Sequence, residues 1–250
     1  MHKHIPNILT SLNLLCGCIG IYYLVEVNFY IAALLIIIAA LFDFLDGMSA
    51  RMLNAYSPVG KSLDSLADLV SFGILPGLLL LKLQLSLTGT GIGPEFRSEY
   101  TLSHYIIIFF PLLIPLFSAL RLAKFDNDPS QAEVFRGLPT PANALFIAAL
   151  VWSAPHGIKG MMFIHNSALV FIVTTVMAIL LISPFRFISL KLHNLSWKDN
   201  YMRYLLIAAA IACLIIWRIP GIMFIIVLYL ILSVFSMILN CLRGLPNHSV

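Results

Sequence analysis

Charge is what this sequence has least of. Of its 250 residues only 10% are Asp, Glu, Lys or Arg, against 60% hydrophobic, where a water-soluble domain carries about 25% charged residues. An ordinary soluble enzyme is therefore excluded. The cations leave a formal net charge of +4, but they are scattered between apolar runs and form no stripe. That excludes nucleic acid as a partner and fits a protein edge against anionic lipid. Cysteine is scarce as well, with four residues in all, Cys16, Cys18, Cys213 and Cys241. They lie in or beside apolar runs, and Cys16-Gly17-Cys18 has neither a zinc spacing nor a second half-site, so they read as packing residues. No internal repeat is visible, as a transporter would usually show. The glycine alternation Gly89-Thr90-Gly91-Ile92-Gly93 has no strand before it and reads as a flexible turn, not a phosphate loop. No small-residue cleavage site follows the first apolar run, which is expected to be a span and not a removed leader.

What is abundant is apolar sequence in lengths near the roughly 20 residues that cross a bilayer as a helix. Such runs fall at about 8–25, 29–48, 62–81, 105–123, 142–154, 167–182, 201–217 and 219–239. The expected fold is all-α: a polytopic integral membrane helical bundle of about eight transmembrane helices. The first six would form a core over 1–200, followed by a C-terminal pair over 201–250. Gly73 and Gly77, with Pro76 between them, read as small-residue helix packing or a kink. Lys and Arg in alternate loops divide eleven to four. By the positive-inside rule both termini face the cytoplasm, with the chain in the cell (inner) membrane.

Against this apolar background the stretch 42–71, FDFLDGMSARMLNAYSPVGKSLDSLADLVS, stands out. Asp43 and Asp46 are three apart, and Gly60, Asp64 and Asp68 four apart, so each set shares a helix face. Asn54 to Pro58 reads as a turn. Folded as a hairpin, the two helices bring four carboxylates together at one membrane surface. Such a group repels itself unless cations sit within it, and Arg51 and Lys61 supply only two. A pair of divalent ions is the natural complement, because Mg²⁺ takes carboxylate and phosphate oxygens together. Gly47, Ala50 and Gly60 leave room for a group to lie against the backbone, and Arg51 can fork onto a phosphate. The alternative is a hairpin whose charges pair only with one another or with headgroups.

Two further polar features lie elsewhere. Asn7, Thr10 and Asn13 recur every three residues along the first span. Either Thr10 bonds back to its own helix while Asn7 caps the start, or the strip faces a nucleotide. Arg121 and Lys124 end the fourth span on the aspartate side. They are either a positive-inside anchor or an anion site for a lipid phosphate or substrate carboxylate. In Gly137-Leu138-Pro139-Thr140-Pro141-Ala142, Thr140 suits a helix cap and Pro141 a first turn.

The residues Asp46-Gly47, Ala50-Arg51, Gly60, Asp64 and Asp68 reproduce the pattern D-G-x2-A-R-x8-G-x3-D-x3-D without departure. In this the chain resembles the CDP-alcohol phosphatidyltransferases, integral membrane enzymes of phospholipid synthesis. The opening Ile5 to Asn13, the Arg121 to Asp126 stretch, Gly137 to Ala142 and the run 183–191 resemble the serine-using branch. Where that branch carries Arg-Leu-Ala-Arg-Phe, this chain has Lys124 at the second cation and Asp126 after the Phe. The resemblance implies transfer of a phosphatidyl group from CDP-diacylglycerol to L-serine, releasing CMP. It implies Mg²⁺ or Mn²⁺, two ions, on Asp43, Asp46, Asp64 and Asp68, with Asp68 as general base. CDP and its diphosphate would lie on Asn7, Thr10, Asn13, Gly47, Ala50, Arg51 and Gly60. Arg121 and Lys124 would bind the acceptor or a lipid phosphate, and the enzyme would be a homodimer. Other readings are the same chemistry with glycerol 3-phosphate or an inositol phosphate as acceptor, and a non-catalytic transporter or scaffold with a metal site.

Overall fold

The computed structural model describes residues 4–55, 57–88, 101–127, 137–153, 166–184 and 197–242, with backbone alone at 197–205, 207 and 235–242. The glycine alternation at 89–93, Arg136 and most of the run 183–191 lie outside them. Among the described residues there is no strand. The helices are α1 (Ile5–Val25), α2 (Phe29–Met52), α3 (Pro58–Asp68), α4 (Leu75–Leu87), α5 (Leu102–Phe109), α6 (Leu113–Asn127), α7 (Thr140–Ser153), α8 (Ser167–Ile182), α9 (Trp197–Trp217) and α10 (Gly221–Leu242).

Two pairs of these are single rods with an irregular turn inside. A π-helical segment, Leu69–Ile74, joins α3 to α4, and a 3₁₀ turn, Phe110–Leu112, joins α5 to α6. Proline accounts for both. Pro76 and Pro111 have no amide hydrogen to give the preceding turn, so the regular ladder is interrupted just before them. Helices thus occupy all eight places where the sequence predicts them. Among the residues with described side chains, length and apolarity qualify four as spans: Ile5–Val25, Phe29–Met52, Pro58–Leu87 and Leu102–Asp126. α7 and α8 are shorter apolar helices, of 14 and 16 residues.

Large apolar side chains such as Ile8, Leu15, Tyr22, Phe44, Leu116 and Ile172 point outward, as expected where the surrounding solvent is hydrocarbon. Inside, small residues set the spacing. Ala32, Ala33 and Ala39 of α2 are fully buried, and α1 packs closely along α2. Gly77 lies against Pro115, where a Cβ would come within 2.5 Å of the ring. The expectation of small-residue packing in the third span holds. The centre is α7, whose buried residues include Thr140, Asn143, Ala144 and the unbroken run Phe146, Ile147, Ala148, Ala149, Leu150 and Val151. A helix apolar all round belongs inside the bundle, and α7 touches α2, α4, the π segment and α10. Its start is pinned by Gly137, at φ +78° with no room for a side chain against Leu181 O, and by Leu138, whose N–H donates to Leu180 O at 2.9 Å.

Candidate functional site

The turn between α2 and α3 makes the site. Asn54 takes a left-handed conformation at φ +48°, tolerated by Asn and costly for most residues. Ser57 then caps α3, its Oγ accepting from the Gly60 N–H at 2.9 Å, with Pro58 in the first turn. α1 packs against both α2 and α3, and across the turn between them the acids of α2 come within reach of Asp64 and Asp68 in the second half of α3. Carboxylate oxygens from Asp43, Asp64 and Asp68 lie within 4.8 Å of one another. Asp46, buried at 6% exposure, stands next to them, close enough for its charge to act on Asp43 and Asp64.

Three hard oxygen donors converging at this spacing suit Mg²⁺ or Mn²⁺. Among the described residues Asp64 Oδ1 is buried without a hydrogen-bond partner, and such a carboxylate oxygen is suited to ligate a divalent cation. The donor set therefore fits the ion that the sequence implies.

Helix α1 supplies the hydrogen bonds that position two of these acids. Thr10 Oγ1 donates to Asp46 Oδ2 at 2.7 Å, and also contacts Pro6 O at 3.0 Å. Asn13 Nδ2 donates to Asp68 Oδ1 at 3.2 Å. Asn13 is itself held by Ser71 of the π segment, whose Oγ donates to Asn13 O at 2.9 Å. Asn7 faces the second carboxylate helix at Gly60, where an added Cβ would lie 2.9 Å from Asn7 Oδ1. Back-bonding by Thr10 is therefore present, but the same hydroxyl also reaches an aspartate. Asn7 does not cap α1, since the residue at that position is His4. Arg51 is exposed, its Nε donating to Gly47 O at 3.0 Å, with its guanidinium close over Gly47.

A cavity of about 220 Å³ opens beside the carboxylates, between α3, α6 and the start of α7. Asp64 and Asp68 form one wall, and Arg121, Pro139, Thr140 and Pro141 another. Arg121 is largely buried, its Nε shielded and without a partner, and it lies near enough to Asp68 to feel its charge. At the rim Lys61 pairs with Asp126, Nζ to Oδ1 at 3.5 Å and Nζ to the backbone O at 2.9 Å, while Ser65 Oγ donates to Asp126 Oδ2 at 2.8 Å. The two cations read as a pair from their spacing separate here: Arg121 lines the cavity, while Lys124 is exposed and does not.

Sequence reasoning missed two things. Asp126 is tied to Lys61 and Ser65 across α6 and α3. Thr140, read as a cap, lines the cavity and carries a buried Oγ1 without a hydrogen-bond partner among the described residues. The signal for the second was present, a hydroxyl between two prolines that restrict where it can point.

A family model described as CDP-alcohol phosphatidyltransferase matches residues 3–180. The chain is 33% identical over 191 residues to a CDP-diacylglycerol--serine O-phosphatidyltransferase of Bacillus subtilis (strain 168), covering 76% of this chain and 93% of the relative. It is 34% identical over 154 residues to a protein of the same description from Mycobacterium leprae (strain TN), covering 59% of this chain and 46% of the relative. An archaetidylserine synthase of Methanothermobacter thermautotrophicus is 32% identical over 147 residues, covering 58% of this chain and 56% of the relative. The chain thus spans nearly all of the Bacillus relative and about half of the other two.

Proposed function

Since this chain belongs to the CDP-alcohol phosphatidyltransferase family, we propose that it moves the phosphatidyl group of CDP-diacylglycerol onto the hydroxyl of L-serine, giving phosphatidylserine and CMP. The observation that carries this is the convergence of Asp43, Asp64 and Asp68 beside a cavity lined by Arg121, whose Nε is buried without a hydrogen-bond partner. The names of the relatives point to serine.

In the reaction the serine oxygen forms a bond to the phosphatidyl phosphorus. The bond from that phosphorus to the bridging oxygen breaks, and the electron pair leaves on CMP. Phosphoryl transfer asks the protein for alignment and charge stabilisation more than for covalent chemistry. Mg²⁺ or Mn²⁺ on Asp43, Asp64 and Asp68, with Asp46 beside them, would screen the diphosphate and stabilise the leaving group, and four carboxylates suffice for two ions. Asp68 lies at the boundary between the cluster and the cavity. Asp64 shares that boundary; of the two, we assign to Asp68 the role of taking the proton from the acceptor hydroxyl, because it is the last acid along its helix face and Arg121 lies near it. Asn7, Gly47, Ala50, Arg51 and Gly60 form the bed for the nucleotide, where small residues let it approach the backbone and Arg51 meets phosphate. Thr10 and Asn13 serve the same bed by orienting Asp46 and Asp68.

Charge favours serine over a phosphorylated alcohol. Among the described residues, the cations lining the cavity are Lys61, which is committed to Asp126, and Arg121. A single arginine matches a carboxylate; a phosphate dianion would ask for more positive charge. The excess of Lys and Arg on the hairpin side supports a cytoplasmic active site in the inner membrane, where a nucleotide-activated lipid meets a water-borne amino acid.

Purified protein supplied with labelled CDP-diacylglycerol and each candidate alcohol in turn is the test. CMP should appear with L-serine and not with glycerol 3-phosphate or an inositol phosphate. Faster release with a phosphorylated alcohol would move the assignment to that acceptor, and no release with any alcohol would end it.

A further inference from the structure

We infer that Asp126 is a positioning residue for the metal site: it holds the Lys61 ammonium away from Asp64 and so keeps that carboxylate free for a divalent cation. The inference rests on the metal-dependent transfer reading above and adds a residue that lies outside the three-carboxylate group.

Three observations converge. First, Lys61 and Asp64 stand one turn apart on α3, a spacing at which side chains of opposite charge meet on a helix surface. The lysine stem is flexible, so its ammonium sweeps a wide arc. Second, Asp64 Oδ1 is buried and has no hydrogen-bond partner among the described residues. A bare carboxylate oxygen so close to a lysine draws the ammonium onto itself unless another acceptor holds it. Third, Asp126 of α6 does hold it. Lys61 Nζ lies 3.5 Å from Asp126 Oδ1 and donates to Asp126 O at 2.9 Å, while Ser65 Oγ donates to Asp126 Oδ2 at 2.8 Å. Both carboxylate oxygens and the carbonyl of one residue on α6 are thus turned toward α3.

Placement gives the contact its meaning. Lys61, Asp64 and Asp126 line one cavity, and Asp126 is near enough to Asp64 for its charge to act there. The lysine is therefore one side-chain swing from a metal ligand. On Asp64 it would compete with a divalent cation for the same oxygens and cancel part of the negative charge that draws the ion in. On Asp126 it neutralises a carboxylate outside the cluster, with its own side chain still more than half exposed. Ser65 follows Asp64 directly in the chain. The hydroxyl that orients Asp126 is thus carried by the same turn as the carboxylate that Asp126 protects.

The test measures Mn²⁺ binding to the full chain in detergent by calorimetry, with no nucleotide or acceptor present. Asp126→Asn keeps the shape and removes the charge that holds the lysine, and Mn²⁺ affinity should fall about tenfold, as for other residues that act behind a metal ligand. Adding Lys61→Met removes the competitor, and the double variant should return to within about threefold of the wild type. An Asp126→Asn protein that binds Mn²⁺ as the wild type does overturns the inference. So does a double variant that keeps the loss, because Asp126 then acts through its own charge or through the fold and not through Lys61. Should Asp126→Asn fail to fold, Ser65→Ala decides. It keeps both charges and loosens Asp126, so affinity should fall about threefold and recover when Lys61→Met is added; no fall overturns the inference. If the wild type binds no Mn²⁺, the metal-dependent reading falls and takes the inference with it. Wild-type binding beside an unaffected Asp126→Asn removes the inference alone.

Discussion

At the scale of single residues, the acids that give the site its chemistry are held by neighbours that carry no charge. Asp46 receives a hydroxyl from Thr10, and Asp68 an amide from Asn13. Hydrogen bonds to an ionised acceptor contribute about 1.5–3 kcal/mol each, and losing the donor leaves a buried acceptor exposed to the full desolvation cost. Residues that orient metal ligands typically alter affinity by about 10- to 100-fold when removed. Thr10→Val is nearly isosteric and removes the donor. It should weaken Mn²⁺ binding, measured calorimetrically on the purified protein, by about tenfold, and Thr10→Ser should keep it. Unchanged affinity in the valine variant would mean that the Thr10 bond is incidental. In the sequence the strip Asn7, Thr10, Asn13 was legible as polar and one-sided. What it meets was not, because Asp46 and Asp68 lie 36 and 55 residues further along. Only the packing of α1 against the hairpin brings them into reach. Arg121 and Lys124 teach the same lesson in reverse. Spacing put them together, but the neighbours of α6 bury one and leave the other outside.

At the scale of elements, the seam between α1 and the π segment joins fold and site. Gly17 of α1 faces Ser71 so closely that an added Cβ would lie 2.5 Å from Ser71 Oγ and 3.1 Å from Ser71 Cα. That serine is already bonded to Asn13 O and cannot step aside cheaply. Overpacking of this kind costs about 1–3 kcal/mol. Gly17→Ala should lower thermal stability in detergent and activity together, and Gly17→Ala with Ser71→Gly should recover part of the stability, a coupling that a double-mutant cycle measures. Simple additivity of the two changes would show that the seam is not the contact that matters. The helices themselves were legible, since unbroken apolar runs of the right length have few other outcomes. The irregular turns inside two of them were only half legible. Pro76 announced a break, but whether it would appear as a kink or a π turn depends on what the rod packs against.

At the scale of the whole molecule, binding and folding are linked. Asp43 comes from α2 and Asp64 and Asp68 from α3, so the three-carboxylate group exists only when the hairpin is closed. A ligand that binds only the folded form stabilises it by about 2.7 kcal/mol at a hundred times its Kd. Saturating Mg²⁺ or Mn²⁺ should therefore raise the unfolding temperature of the purified protein. The double variant Asp43→Asn with Asp64→Asn should abolish that rise while unfolding at a temperature no lower than the ion-free wild type, because it also removes like-charge repulsion. An equal rise in the double variant would place the ion elsewhere. The membrane character was legible from composition alone. The cavity was not, because it lies between three helices whose relative positions no local pattern encodes.

The π segment has a geometric corollary. Each residue of a helix turns the chain by about 100°, so an extra residue within one turn rotates everything beyond it by that much. The rod from Pro58 to Leu87 thereby presents its acids in one direction below the turn, while above it Gly77 is aimed at Pro115 on a different bearing. One length of backbone serves two azimuths, and a single-residue deletion between Leu69 and Ile74 would swing the upper half off its neighbour while leaving every acid in the sequence untouched.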